Sequence, residues 1–251
     1  MRKLQLVFLA VFPLIWIQTS TACDVFIPDT NGYRVQGDAY DWDGNLLYSE
    51  YLQFQPSETG GKLEVSYSLP DAGEFARKVA DFNCQPTTPA FKLTDVSSQN
   101  QEGVEWQPDG ESIISFQNGE RTELEVPDGI TIFDAGFDNT IKRHWDSLVA
   151  GEQLKVNYLF ARDNRFLTLR IAKSEPPADI DPDSVRDVFF FRISANNLIF
   201  RMLSKPLYVG YTPQTRSLAY YIGPSNLPTM RDQKAIVIRY RDLASNAITS
   251  N

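Results

Sequence analysis

The segment Phe133–Gly151, FDAGFDNTIKRHWDSLVAG, is the one stretch beyond the N-terminal leader with a clear helical period. Its apolar residues recur at spacings of three and four, which places them on one face of a helix: Phe137, Ile141, Trp145, Leu148 and Val149. Asp138 is placed to cap the start of the helix and Gly151 to end it. Lys142 lies four residues from both Asp138 and Asp146, which predicts an exposed row of charges. We therefore predict one amphipathic helix whose apolar face packs on a sheet.

Most of the remaining chain alternates apolar and polar residues with the two-residue period of a half-buried strand. In one such run the apolar side chains fall at every second position: Leu154, Val156, Tyr158 and Phe160. Asp43-Gly44, between two alternating runs, predicts a tight hairpin turn. About a dozen strands and one helix predict an all-β fold with one main helix. The predicted architecture is a curved antiparallel meander sheet, or half-barrel, with the helix packed in the concavity.

Three segments in the second half of the chain carry predictions of their own. Residues 174–184 are rich in Pro and Asp, which predicts an exposed loop. The contiguous apolar run Val188–Phe191 predicts a strand buried on both faces. Residues 198–203 predict a further strand.

Residues 1–22 have the order of segments of a secretory signal peptide. Two basic residues precede the apolar run Leu4–Ile17, and small residues lead up to Ala22. A membrane anchor is the alternative, but the run is shorter than the roughly 20 apolar residues of a membrane span, and Pro13 interrupts it. We predict that residues 23–251 form one exported β-rich domain without a transmembrane segment, located in the periplasm or associated with the outer membrane.

The chain has two cysteines, Cys23 and Cys84. In an oxidising compartment this count predicts one disulfide, which closes a long loop and contributes on the order of 4 kcal/mol to stability. Cys23, directly after the leader, also resembles a bacterial lipoprotein box, in which that cysteine is lipid-modified. Such boxes usually carry Leu three residues before the cysteine, where this chain has Ser20. The disulfide is therefore favoured over the lipid anchor.

The charge of the chain is acidic, with a net value of −8 at pH 7. The leader contributes two basic residues and no acidic ones, so its removal leaves a net charge of −10. An acidic surface keeps a protein soluble and argues against nucleic acid or anionic lipid head groups as partners.

Few residues are candidates for catalysis or metal binding. The one histidine, His144, lies near the border of the apolar helix face, which favours a half-buried structural role. An envelope enzyme, such as a hydrolase, with its site near His144, Asp138 and Asp146 is the alternative. The turn Asp41–Asn45 has the glycine of a calcium loop but lacks the first ligand and the helical flanks, and the acidic run Asp179–Asp183 is typical of a solvated loop. We predict no catalytic residue, metal ligand or cofactor.

Aromatic residues are the remaining candidates for a binding role, with 16 Phe, 11 Tyr and 4 Trp. They either fill the core or line an apolar pocket. If they line a pocket, the helix should contribute the side chains that contact the ligand: Phe137, Ile141, His144, Trp145 and Leu148. Gly136 and Gly151 flank this helix and would let it move as a lid. The leading prediction is a non-enzymatic envelope protein that binds a lipid, another apolar small molecule or an envelope protein, and a purely structural protein with a filled core is a further alternative.

Several short motifs resemble a family of secreted proteobacterial β-rich proteins that is uncharacterised. They are DAGFDN (134–139), WDSL (145–148), Gly151-Glu152, LYSE (47–50) and VGYTPQT (209–215). These motifs carry no assigned chemistry, so the resemblance implies no functional residue. In outline the chain also resembles the periplasmic lipoprotein-carrier folds, in which a half-barrel sheet covered by helices holds acyl chains.

The mass of the purified protein tests the prediction for the cysteines. We expect an intramolecular disulfide between Cys23 and Cys84, which lowers the intact mass by two hydrogen atoms. A reductant should break this disulfide and raise the mass to that of the free thiols. A mass several hundred daltons higher, insensitive to reductant, would instead identify a diacylated Cys23.

Overall fold

Fifteen β-strands form one sheet in the part of the chain that the structure, a computed structural model, describes: residues 32–195, 206–225, 227–230 and 235–243. The first eight are β1 (Tyr33–Tyr40), β2 (Leu46–Ser57), β3 (Gly60–Leu69), β4 (Gly73–Asp81), β5 (Ala90–Asp95), β6 (Gln101–Trp106), β7 (Ser112–Gln117) and β8 (Glu120–Glu125). The others are β9 (Thr131–Phe133), β10 (Gln153–Phe160), β11 (Arg165–Ser174), β12 (Phe189–Ala195), β13 (Leu207–Thr212), β14 (Ser217–Gly223) and β15 (Ile236–Asp242). Two helices, α1 (Gly136–Arg143) and α2 (Trp145–Val149), lie between β9 and β10. The predicted all-β class is confirmed.

The strand order follows the chain in two meanders that meet at β1 and β15. The order across the sheet is β8-β7-β6-β5-β4-β3-β2-β1-β15-β14-β13-β12-β11-β10-β9. Every neighbouring pair is antiparallel except β9 and β10, which run parallel. A parallel pair needs a crossover connection, and the helices supply it. The chain therefore returns through the helices from one edge strand to the strand beside it.

The predicted single helix is broken at His144, which corrects the expectation of one continuous helix. His144 ends α1 and precedes α2 with φ −102° and ψ 19°. Asp138 lies inside α1 rather than at its cap, since Ala135 is the N-cap and makes no side-chain capping bond. The predicted stop at Gly151 is confirmed: its φ is +96°, and the amides of Gly151 and Glu152 donate to the Leu148 and Ser147 carbonyls at 3.1 and 3.0 Å. These are the two hydrogen bonds of a Schellman motif.

The apolar face of the helices packs inside the curved sheet, as predicted. Ile141, Trp145 and Leu148 are buried against side chains of four strands, β10 to β13: Val156, Ile171, Phe191 and Val209. Trp145 lies against three aromatic rings, with centroids 5.5 Å away for Phe191, 5.9 Å for Tyr211 and 6.1 Å for Phe189. The helices thus fill one part of the concavity.

The two ends of the sheet approach each other and bring it close to a barrel. The amide of Phe133 in β9 donates to the Thr87 carbonyl at 3.0 Å, and Ser115 Oγ in β7 donates to the Ala161 carbonyl after β10 at 3.1 Å. A Cβ atom at Gly136 would collide with the Thr87 carbonyl oxygen. Glycine is therefore required there for close approach of two backbones, and this position is not the free hinge that the sequence suggested.

A loop covers part of the outer face of the sheet. Ile180 and Val185 are buried against Phe190, Ile222 and Val237. The segment 174–184 is therefore not simply an exposed loop, because Ile180, with Val185 directly after the segment, packs on outward side chains of β12, β14 and β15. The predicted burial of β12 on both faces is confirmed, since Phe190 lies in this outer cluster and its neighbour Phe191 lies in the inner one.

The sequence missed two strands, and several of its predictions concern residues that the structure does not describe. The strands β5 and β9 have no counterpart among the predicted elements, whereas the strand predicted at 198–203 lies outside the described residues. The leader and Cys23 also lie outside them, so the signal peptide and the disulfide stay predictions. Among the described residues, no helix is long and apolar enough to cross a membrane.

Replacement of Trp145 by Ala tests whether the helices are part of the core. We expect Trp145→Ala to lower the free energy of unfolding by about 3–5 kcal/mol, because it removes a buried ring from an aromatic cluster. Denaturant titration followed by circular dichroism measures the loss. The matched control is Trp42→Ala, whose ring is 43% exposed in the β1–β2 turn and should cost less than about 0.5 kcal/mol. Equal losses in the two variants would contradict the packed helices.

Candidate binding cavity

A cavity of about 1420 Å³ lies on the inner face of the sheet, beside the helices. Side chains of a strand alternate between the two faces of a sheet, and β2 and β3 line the cavity at every second position, from Tyr48 to Phe54 and from Leu63 to Tyr67. The apolar walls include Leu52, Phe54, Leu63, Val65, Leu93 and Leu169. Arg162 and Arg165 also belong to the lining, and their side chains are 50% and 56% exposed, so the cavity opens to solvent near the β10–β11 connection.

A group of charged residues lies inside this apolar cavity. Lys78 of β4 and Asp134, between β9 and α1, form an ion pair with 2.8 Å between Nζ and Oδ2, and their side chains are 9% and 13% exposed. Glu50 of β2 is also buried and accepts a hydrogen bond of 2.6 Å from the Tyr240 hydroxyl. The Asp134 Oδ2 atom accepts no aligned hydrogen bond from the described residues, so its charge is balanced by the Coulomb attraction of Lys78.

The local sequence explains how Tyr240 reaches Glu50. Gly37 of β1 lies opposite Glu50 of β2 on one side and opposite Tyr240 of β15 on the other. A Cβ atom at Gly37 would lie 2.7 Å from the Tyr240 ring. The missing side chain therefore lets the ring lie across β1 toward the carboxylate.

Burial and neighbouring charges together shift the pKa values of Glu50 and Lys78. It raises the pKa of the Glu50 carboxyl, and the Tyr240 hydrogen bond and the Lys78 charge oppose this shift without cancelling it. Burial acts to lower the pKa of Lys78, but the charges of Asp134 and Glu50 outweigh it, so the pKa of Lys78 lies above its ordinary value. Lys78 is therefore charged at neutral pH.

Tyrosine hydroxyls surround the charged group. Tyr48, Tyr67, Tyr158, Tyr221 and Tyr240 all line the cavity. Burial, with a smaller effect of nearby carboxylates, raises the pKa of each phenol above its ordinary value. These phenols are therefore neutral and can both donate and accept hydrogen bonds.

A second ion pair lies on the helical side of the cavity. Lys142 Nζ is 2.6 Å from Asp138 Oδ2, and Tyr211 donates to Asp138 Oδ1 at 3.0 Å. Lys142 is buried, which corrects the prediction of an exposed charge row. Asp146, which was expected in the same row, is exposed and pairs at 3.2 Å with Arg216 instead.

The structure separates the residues predicted to contact a ligand. Phe137 lies on the cavity lining. Ile141, Trp145 and Leu148 pack into the core behind it, and His144 is half-buried at the break between the helices. Direct contact with a ligand in this cavity is therefore expected of Phe137 among these five.

The alternative catalytic residues, His144, Asp138 and Asp146, do not form one hydrogen-bonded group among the described residues. Asp138 is paired with Lys142, and Asp146 lies on the surface with Arg216. Burial, with a contribution from Arg143, lowers the pKa of His144, and the contacts described for this histidine include neither carboxylate. The three residues thus lack the mutual hydrogen bonds of an acid–base pair.

Hydrogen bonds within the local turns account for aspartates of the two acidic loops, Asp41–Asn45 and Asp179–Asp183. Asp41 Oδ1 accepts hydrogen bonds from the Asp43 and Asn45 amides at 3.0 and 2.8 Å, and Gly44 has φ +85°. This is a self-capped hairpin turn, as favoured from the sequence. Asp181 accepts from the Asp183 amide at 3.1 Å and caps the short helix Pro182–Val185.

Sequence reasoning missed the charged residues of the cavity, although two of them carried a signal. Glu50 stands in the inward series of β2 between Tyr48 and Leu52, and Lys78 stands in the inward series of β4 between Ala76 and Ala80. A charge at an inward position of an alternating strand is a candidate for a paired, buried group. Asp134 had no such signal, because its partner is distant in the chain.

Comparison with solved structures finds this fold in another protein. The crystal structure of a β-barrel-like protein of domain of unknown function DUF1849 from Brucella abortus matches with a TM-score of 0.52 and 7% sequence identity. The match covers 84% of this chain and 95% of that chain. No family model and no curated protein matches the sequence. At this identity the likeness shows the fold alone, a curved β-barrel-like sheet.

Replacement of Glu50 by Gln tests the burial of its carboxyl. A raised pKa means that the folded state binds a proton more tightly than the unfolded state, so wild-type stability is lost as the pH rises through the ordinary and then the raised value. We expect Glu50→Gln to match the wild type near about pH 4 and to melt a few degrees higher at pH 7. Thermal melts across this range measure the difference, and Glu64→Gln, an exposed glutamate of β3, is the control. A variant that melts lower than the wild type at pH 7 would contradict the assignment.

Proposed function

We propose that this chain is a non-enzymatic binding protein of the bacterial envelope that holds an apolar chain of a lipid or similar amphiphile inside its curved sheet. The observation that carries the proposal is the cavity of about 1420 Å³ with apolar walls and a few buried polar groups. This combination is typical of sites for small apolar ligands. A purely structural protein with a filled core is less consistent with so large a space.

The leader supports the location that this proposal assumes. Residues 1–22 have the pattern of a signal peptide, and an exported carrier would meet lipids and lipid-modified proteins in the envelope. The hydrolase alternative has less support, because His144, Asp138 and Asp146 do not form one site. An envelope protein as partner is the remaining alternative within the binding class.

Binding of an uncharged apolar dye tests the proposal. We expect N-phenyl-1-naphthylamine to gain fluorescence with the folded protein and to be displaced by single-chain lipids, because the cavity offers a water-poor apolar wall. Circular dichroism on the same samples verifies the fold. Folded protein that binds no dye would overturn the proposed function.

A substitution that fills the cavity tests where the dye binds. We expect Leu52→Trp, which enlarges a side chain on the cavity wall, to weaken dye binding by about tenfold, the equivalent of about 1.4 kcal/mol. The matched control is Leu46→Trp in the same strand, where the leucine is 41% exposed. Equal dye affinities in the two folded variants would place the dye outside the cavity.

A further inference from the structure

We propose that the cavity selects amphiphiles with an uncharged, hydroxyl-bearing head group, such as single-chain lipid alcohols and monoacylglycerols. This inference rests on the proposed function and specifies its ligand class. It follows from the way in which the charged side chains inside the cavity are paired with one another.

Each buried cation of the lining already has a carboxylate partner. Lys78 lies 2.8 Å from Asp134, and Lys142 lies 2.6 Å from Asp138. Both pairs belong to the cavity lining. At these two pairs a ligand therefore meets balanced charges. Glu50, a further buried acidic residue of the lining, accepts the Tyr240 hydrogen bond, and burial raises the pKa of its carboxyl, which favours the uncharged form.

A charged head group of either sign would meet a like charge at the Lys78–Asp134 pair. A carboxylate that approached Lys78 would also approach Asp134 and Glu50. An ammonium group that approached Asp134 would also approach Lys78. These repulsions are strong away from water, and a charged head group gives up more hydration on entry than an uncharged one.

The hydroxyl groups of the cavity match an uncharged polar head. Tyr67 and Tyr158 line the cavity, and no hydrogen bond joins their hydroxyls to other residues that the structure describes. A neutral phenol both donates and accepts, as does the hydroxyl group of an alcohol or a glyceride. The apolar chain would then lie along walls formed by residues such as Leu63 and Val65.

Three amphiphiles with the same dodecyl-length chain test the selection on the wild-type protein. Each displaces bound N-phenyl-1-naphthylamine at pH 7, below its micelle concentration: 1-monolauroylglycerol, laurate and dodecylammonium. We expect the glyceride to bind at least about tenfold more tightly than either ion. Either ion binding as tightly as the glyceride would overturn the inference but not the proposed function, whereas absence of dye binding would overturn both.

Titration of the ligand gives a second test that needs no variant. As the pH is lowered through the titration range of the lauric acid carboxyl, we expect its affinity to rise toward that of the glyceride, because the head group becomes uncharged. The glyceride, measured at the same pH values, corrects for titration of Glu50 and other groups of the protein. A ratio of the two affinities that does not change with pH would contradict selection by charge.

Substitutions at the ion pair should reverse the selection. Asp134→Asn leaves Lys78 without its carboxylate, so the affinity for laurate relative to that for the glyceride should rise about tenfold over the wild-type ratio. Lys78→Met should produce the corresponding gain for dodecylammonium. The control is Asp183→Asn, at an exposed pair with Arg186 that is outside the cavity lining. Folded Asp134→Asn protein in which this ratio does not rise would overturn the inference.

Discussion

A buried ion pair between Lys78 and Asp134 connects the two ends of this sheet inside the cavity. Lys78 belongs to β4 in the first half of the sheet, and Asp134 follows β9, the edge strand of the other half. No ladder of backbone hydrogen bonds joins β8 to β9 in the described sheet, so the ends meet through local contacts. The Phe133 amide and Gly136 both approach Thr87, and the ion pair lies beside them. Removal of one member of such a pair leaves an uncompensated buried charge, which makes the pair a strong constraint on closure.

The cavity follows from the number of strands. The width of a rolled sheet grows with its strands, and about eight strands already enclose a space that side chains can fill. Fifteen strands enclose more. The crossover between β9 and β10 brings α1 and α2 into the concavity, where Trp145 and its neighbours occupy part of the space. The remainder is the cavity, whose buried charged residues come from β2, β4, the β9–α1 junction and α1.

The sequence predicted the architecture better than the site, for a physical reason. A two-residue period depends on burial along one strand, so the long strands and the inward side chains of β10 were predictable. The apolar stripe of the helices and their end at Gly151 also depend on residues close together in the chain, so they were predictable too. The three residues of β9 are too few to show a period, and the break at His144 leaves the spacing of Ile141, Trp145 and Leu148 nearly unchanged. The partners Lys78 and Asp134 meet only when the sheet curls, and no local pattern encodes that contact.

On the proposed function, sheet closure and ligand selection would both depend on the Lys78–Asp134 pair. Well-packed apolar residues could join the ends of the sheet about as well, since replacing a buried ion pair by such residues is often neutral or stabilising. The presence of Lys78 and Asp134 at this junction is therefore better explained by what they present to the cavity. Because each charge balances the other, the pair adds polarity without net charge. On the proposed function, an apolar chain can lie along the walls while its head group meets tyrosine hydroxyls and a neutral pair. The same pair that holds the sheet closed would then exclude ions of both signs.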